Sequence, residues 1–160
     1  MTKRIALRVG LLLAALVAVG GALDQGTTFP EGEQVYMTNC IGCHQANGQG
    51  LPDVFPPLAG HEPTLYQVGG RDYLPRVLLF GLQGEITVLG NTFDNMMPSW
   101  IGLGDEELAS VVNFVLTAWG NDELLPADFE PFTTEEFAAV RELGLSAQDV
   151  YGIRQTLELP

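Results

Sequence analysis

Cysteine and histidine are scarce in this 160-residue chain, two of each. Both cysteines fall in one five-residue stretch, Cys40-Ile41-Gly42-Cys43-His44. No thiol is left for a disulfide elsewhere, so cross-links do not hold the fold. Basic side chains are the second shortage. Lys3, Arg4 and Arg8 precede the first acidic residue, Asp24; beyond residue 23, four arginines against twenty carboxylates leave −16, where the whole chain carries −13. A polyanion of this kind makes nucleic acid and anionic lipid headgroups poor partners. It suits a basic docking patch on a protein partner, and it also serves solubility. Internal repeats and low-complexity tracts are missing, as is any constellation of nucleophile, general acid and general base, so the chain does not read as an enzyme. Long apolar runs are limited to one, Val9 to Leu23.

That run follows three positive charges and ends in the small residues Gly20-Gly21-Ala22, the layout of an export element. Positive charge ahead of it keeps the N-terminus in the cytoplasm and sends the rest across the membrane. Residues 1–23 are therefore expected to be a signal peptide or an N-terminal membrane anchor, since about 20 apolar residues are needed to span a bilayer. The expected location is the periplasm or the extracytoplasmic face of the membrane, with attachment through residues 1–23 in the anchored case. Residues 24–30 read as a linker.

Nineteen glycines and ten prolines concentrate between residues 47 and 104. So loop-rich a region needs something other than side chains to pack around, and a large flat cofactor would serve. Short helical elements flank it. Pro30 suits the first turn of a helix over 31–39, with Val35 and Tyr36 turned inward. Little periodicity follows from Gln45 to Gly70. Asp72 is expected to cap a helix to Phe80 with Pro75 in its first turn. A small hairpin is expected within Glu85–Phe93, with Gly90-Asn91 as its turn. The clearest element is 105–119, where Leu108, Val111, Val112, Val115, Leu116 and Trp119 share one face. Gly120 suits its C-terminal cap. Beyond Pro126, Thr133–Glu136 and Ser146–Asp149 are capping patterns for two helices, reaching about Leu143 and Leu157. Residues 122–160 are too few to bury an independent core and must pack on the main domain or on a partner.

The chemistry concentrates at Cys40, Cys43 and His44. In Cys-x-x-Cys-His the two thiols add to haem vinyl groups as thioethers, and the adjacent imidazole reaches the iron. A thioredoxin-type pair would need a βαβ setting and leaves His44 without a task. A zinc site would need four donors, with only His61 in reserve. For the second axial position Met97 is preferred, because Pro98 holds its backbone extended. Met96 and His61 remain the competing ligands. A thioether favours ferrous iron and raises the reduction potential.

Cys40-Ile41-Gly42-Cys43-His44, Phe55-Pro56-Pro57-Leu58-Ala59-Gly60, Met97-Pro98-Ser99-Trp100 and the helix running to Trp119-Gly120-Asn121 together resemble class I cytochromes c. The resemblance is to the bacterial monohaem group, found as free carriers and as subunits of oxidases or dehydrogenases. It spans about residues 30–121 and leaves the tail unexplained. It implies an all-α, small cytochrome c fold of three to four helices with long loops around one covalent haem c, helix 31–39 crossing helix 105–119. It also implies that the Pro56 carbonyl accepts a hydrogen bond from His44, that Leu58 packs on the porphyrin and that Trp100 lies at the haem edge. Arg71 and Arg76 point either to haem propionates or to solvent. Gly104 stands where the family often has a Ser or Thr cap.

The expected organisation is therefore a haem domain over 31–121 and a C-terminal helical extension over 122–160. The expected function is one-electron transfer in an exported respiratory or dehydrogenase chain, with redox proteins as partners. Two other readings stay open: a haem subunit fixed in a membrane complex, and a haem sensor or enzyme with an open iron site.

Overall fold

The computed structural model describes residues 27–160. The export element expected over 1–23 and the first three residues of the expected linker, 24–26, lie outside the described residues. Helix α1 spans Pro30–Asn39 and α2 is the single turn Ile41–His44. They are followed by α3, Glu62–Phe80, by the hairpin strands β1, Ile86–Val88, and β2, Asn91–Phe93, and by α4, Asp105–Thr117. The tail adds a 3₁₀ turn at Asn121–Leu124 and helices α5, Thr134–Arg141, and α6, Ala147–Arg154. The architecture is helical apart from one antiparallel pair, in which Ile86 faces Phe93 and Val88 faces Asn91. Among the described residues no helix is long and apolar enough to cross a membrane.

The crossing of α1 and α4 is set by a missing side chain. A Cβ on Gly32 would collide with the Ser110 carbonyl and press on Phe114, so the glycine lets two backbones touch. Tyr36, fully buried one turn later, packs against Phe114 and Trp119 at ring-centre distances of 5.4 and 5.0 Å. α4 carries the expected buried face at Leu108, Val111, Val112 and Leu116. Asp105, Glu106 and Glu107 occupy its first turn, where they complement the helix dipole. The Glu107 carboxylate accepts the Gly104 N–H at 2.8 Å, half of a capping box to which glycine returns nothing.

Three expectations need correction. α3 begins ten residues before Asp72: Pro63 lies in its first turn, and Pro75 sits inside it. Gly69 is a packing position there, since a Cβ would press on Leu157 and Tyr73. Pro63 and the glycines therefore resemble loop signals while the tail packs on the helix. In the hairpin the turn is Leu89-Gly90, both at positive φ, as a two-residue turn between right-twisted strands requires. Asn91 already belongs to β2. Finally, α4 stops at Thr117, before Trp119 and Gly120 can extend or cap it. Trp119 turns left-handed (φ 57°) to lay its ring on Gly48 and donate from Nε1 to the Ala46 carbonyl at 3.2 Å.

The tail builds no core of its own. Phe132, Phe137 and Val150 join Leu65, Tyr73, Leu79, Leu108 and Leu116 in one buried cluster. Burying an apolar side chain of that size contributes about 1.5–3 kcal/mol each. Both expected capping boxes form, at Thr133/Glu136 and Ser146/Asp149, although α5 and α6 end at Arg141 and Arg154, short of Leu143 and Leu157. Two ion pairs pin the tail: Arg71 to Glu136 at 2.6 Å and Arg141 to Asp105 at 2.7 Å.

Candidate cofactor site

Cys40 closes α1, its N–H bonded to the Tyr36 carbonyl at 2.8 Å. The single turn α2 follows, with the N–H groups of Cys43 and His44 both donating to the Cys40 carbonyl at 3.2 and 3.0 Å. Helical spacing of i, i+3, i+4 sets Cys40, Cys43 and His44 on one face. Gln45 ends the turn at φ 61°, and its carbonyl accepts the Tyr36 hydroxyl at 2.6 Å. The two cysteines are not joined in a disulfide. Burial, reinforced by the neighbouring Cys43, pushes the Cys40 thiol up to about 11. It is therefore protonated at neutral pH, unlike the low-pKa thiolate of a redox pair.

His44 is buried, and its Nδ1 lies 3.0 Å from the Pro56 carbonyl oxygen. A carbonyl only accepts, so Nδ1 carries the hydrogen and Nε2 keeps a free lone pair. Burial lowers the imidazole pKa, against the opposing pull of the Pro56 bond, and this favours the neutral form that ligates metals. Pro56 is positioned by a loop wound around Gly48, whose carbonyl accepts the N–H groups of Leu58 and Ala59 at 2.8 and 3.0 Å. Asn121 locks this loop to the end of α4. It accepts the Gly60 N–H at 2.7 Å and donates to the Leu58 and Val115 carbonyls at 3.3 and 2.7 Å. No sequence pattern points to this role of Asn121; its complete burial is what marks it.

Met97 is held differently. It exchanges backbone hydrogen bonds with Leu82, at 2.9 and 3.0 Å, an isolated antiparallel bridge. A Cβ at Gly81 would strike the Met97 carbonyl, so glycine permits this approach. Ser99 Oγ donates to the Leu79 carbonyl and the Trp100 N–H to the Leu78 carbonyl, which stitches the whole segment to the end of α3.

These elements border two neighbouring hollows, a larger and a smaller lobe, that share several lining residues. One, of about 740 Å³ including space open to solvent, is lined by Cys40, His44, Pro56, Leu58, His61, Met97 and apolar side chains of α3 and α4. The other, of about 670 Å³, is lined by Cys40, Cys43, His44, Pro56, Met96, Met97 and Trp100. Cys40, His44, Pro56 and Met97 border both lobes. Met96 is 59% exposed and borders only the second. Trp100 is half-buried there and also packs on the core. Arg71 and Arg76 border neither lobe. Arg71 binds Glu136 and the Glu130 and Pro131 carbonyls and stacks on Phe132; Arg76 pairs with Asp72 at 3.5 Å.

Residues 29–119 match the family model described as cytochrome c. The chain belongs to the cytochrome c family. This cytochrome is similar to cytochrome c-552 of Thermus thermophilus, at 46% identity over 149 residues covering 92% of this chain and 97% of that one. A second Thermus thermophilus cytochrome c-552 is 47% identical over 81% of this chain and 98% of its own. The cytochrome c subunit of a quinone alcohol dehydrogenase from Gluconobacter oxydans is 35% identical over 62% of this chain but only 20% of its own length. The helical architecture is the small cytochrome c fold expected, and the chain is an electron-transfer protein.

Membership implies covalently bound haem c, and the residues present fit it. The walls of both lobes are apolar, two thiols stand at one side, and His44 offers an unprotonated nitrogen.

Proposed function

We propose that this cytochrome carries one electron at a time on a single haem c, as an exported carrier between redox proteins. The haem domain of the proposal covers 31–121 and the helical extension 122–160. Cys40 and Cys43 tether the porphyrin, His44 and Met97 ligate the iron, and Pro56 orients His44. Leu58 packs on the ring, and Trp100 shields its edge beside the second lobe. The observation that carries this reading is that His44 and Met97, separated by over fifty residues, both border both apolar lobes, as Cys40 does.

Bound there, haem supplies a one-electron iron couple. The chain's own residues do the rest. The Pro56 carbonyl holds the His44 tautomer, and the Leu82 bridge fixes the Met97 backbone. Both ligands are thus anchored by main-chain bonds that do not depend on the oxidation state, so little rearrangement accompanies electron transfer. The apolar walls exclude water from the iron.

The near-complete overlap with the cytochromes c-552 favours a free carrier over a subunit of a larger complex, since the dehydrogenase subunit is matched over only a fifth of its length. Export, cleavage or retention of residues 1–23 and residence at the periplasmic side follow from the N-terminal charge pattern. The acidic surface favours partners with a basic docking patch.

A pyridine haemochrome spectrum with protein mass and redox titration tests the proposal. One haem per chain, a thioether-type spectrum and a single one-electron wave are expected. A colourless folded protein from cells competent in haem attachment overturns it. Fractionation of those cells, before and after a salt wash, distinguishes a soluble carrier from an anchored one.

A further inference from the structure

Four arginines serve the described part of the chain, and three of them have carboxylates: Arg71 with Glu136, Arg76 with Asp72, Arg141 with Asp105. Arg154, at the end of α6, is the exception among the described residues. It is only 5% exposed, and its hydrogen bond is a long one, 3.4 Å to the Thr87 carbonyl. A guanidinium removed from water without a counter-charge is costly, and buried charges are ordinarily paired.

Arg154 borders the larger cavity lobe together with His61, Glu62 and Tyr73. Its guanidinium carbon lies 6.0 Å from the Tyr73 ring centre. Two further groups there lack partners: His61 Nε2, on a residue 6% exposed, and the Tyr73 hydroxyl are both buried and unbonded. The rest of that lobe is predominantly aliphatic, and the Arg154 charge lies close enough to act on His61, Glu62 and Tyr73 alike. Glu62 does not complete the set. Its burial pushes the carboxyl up to about 7 despite the nearby Arg154, which leaves it a weak counter-charge at neutral pH. Haem is a largely apolar disc with two carboxylate arms on one edge, and this distribution of polar groups is complementary to it.

We infer that Arg154, His61 and Tyr73 form the seat for a carboxylate arm of the haem, so that the C-terminal tail completes the cofactor site. The inference rests on the haem reading above. Arg154 supplies a forked pair of N–H donors suited to a carboxylate. The Tyr73 hydroxyl and the His61 Nε2–H tautomer add a donor each. Glu62 in its protonated form is compatible with a second carboxylate beside it. The region matched by the family ends at residue 119, so this charge comes from a part of the chain that the cytochrome c pattern does not cover.

The test uses the haem-bearing wild type with Arg154→Met, Arg154→Lys, Tyr73→Phe and, as a control for tail stability, Arg141→Met. Two readouts are followed at about pH 6, above the ordinary carboxyl range and below the Glu62 value of about 7: the midpoint potential and the propionate bending band in the resonance Raman spectrum. A nearby cation favours the reduced iron. Arg154→Met should therefore shift the redox equilibrium toward the ferric form by about tenfold, a fall of about 59 mV, and displace the Raman band. Arg154→Lys should retain more than half of the effect in volts. Tyr73→Phe should displace the band without unfolding the protein, and Arg141→Met should lower stability while leaving both readouts unchanged. An Arg154→Met protein with an unchanged band and a shift below about twofold overturns the seat and leaves Arg154 a structural residue. If Arg154→Met does not fold, an unchanged Tyr73→Phe band overturns it equally. A wild type without haem overturns the haem reading itself, which the haemochrome spectrum reveals independently of these variants.

Discussion

Asn113, on the buried face of α4, holds the backbone of Phe132 at both ends: its Nδ2 donates to the Phe132 carbonyl at 2.9 Å and its Oδ1 accepts the Phe132 N–H at 2.7 Å. The amide acts as a one-residue strand partner, satisfying both polar groups of a segment that enters the core just before α5. Asn113→Ala leaves those groups buried and unpaired, which costs about 1–3 kcal/mol for an unsatisfied group. At about 2–4 °C per kcal/mol for a protein of this size, the melting temperature should drop by roughly 2–12 °C, with the haem spectrum unchanged. Calorimetry of the haem-bearing protein checks it, and an unaltered melting temperature would mean that the bonds contribute nothing.

The α1–α4 crossing is tested at Gly32. In Gly32→Ala the new methyl meets the Ser110 backbone, which cannot swing aside as a side chain would. Overpacking of this kind costs about 1–3 kcal/mol. Gly42→Ala is the control, because a Cβ there has nothing within 4 Å. Denaturant unfolding of the two variants should separate them clearly, with only the first losing stability.

Met97 and Met96 are adjacent, yet they should behave differently. Replacing Met97 by Ala removes the proposed thioether ligand, so the midpoint potential should fall and the reduced protein should bind CO rapidly. Met96→Ala, at an exposed position, should change neither property. Redox titration with CO-binding kinetics gives the answer, and rapid CO binding by the wild type would reassign the second axial position.

Acid should loosen the tail through Glu136. The Arg71 guanidinium bonded to it, aided by the Thr133 N–H, holds its carboxyl below the ordinary 4.5. A lowered folded-state value means that the carboxylate contributes stability above about pH 4.5 and that this is lost as pH falls through the folded value. Both side chains are about one-third exposed, so the contribution at neutral pH is on the order of 1 kcal/mol even with two-point geometry. Glu136→Gln should be less stable than wild type by about that much at pH 7, and the gap should close in strong acid. Thermal unfolding across that range measures it; a gap that persists at the acid end would place its origin elsewhere.

Much of the site and part of the fold are legible in residue order. The haem motif is local, and its members sit on one helical turn whose spacing the chain itself imposes. The buried stripe of α4 and the two capping boxes of the tail are equally local. The first ten residues of α3 are not legible in this way, because Pro63, Gly69 and Gly70 are loop signals on propensity alone. Packing against Leu157 and the rest of the tail outweighs them. The hairpin turn falls one residue earlier than Gly90-Asn91 suggests, because Leu89 adopts a positive φ that its side chain disfavours and the strand register requires.

From residue order alone come the proposed attachment site, the neutral-imidazole partner at Pro56, the acidity and the order of the helices, because each depends on neighbours along the chain or on the resemblance carried by contiguous motifs. Tertiary structure alone decides which methionine borders both lobes, what locks the Pro56 loop and where Arg154 ends up. Those outcomes rest on contacts between segments tens of residues apart, such as Leu82 with Met97, Leu58 and Gly60 with Asn121, and α6 with α3. No periodicity or spacing encodes which distant surfaces meet; that is settled by how the whole interior packs.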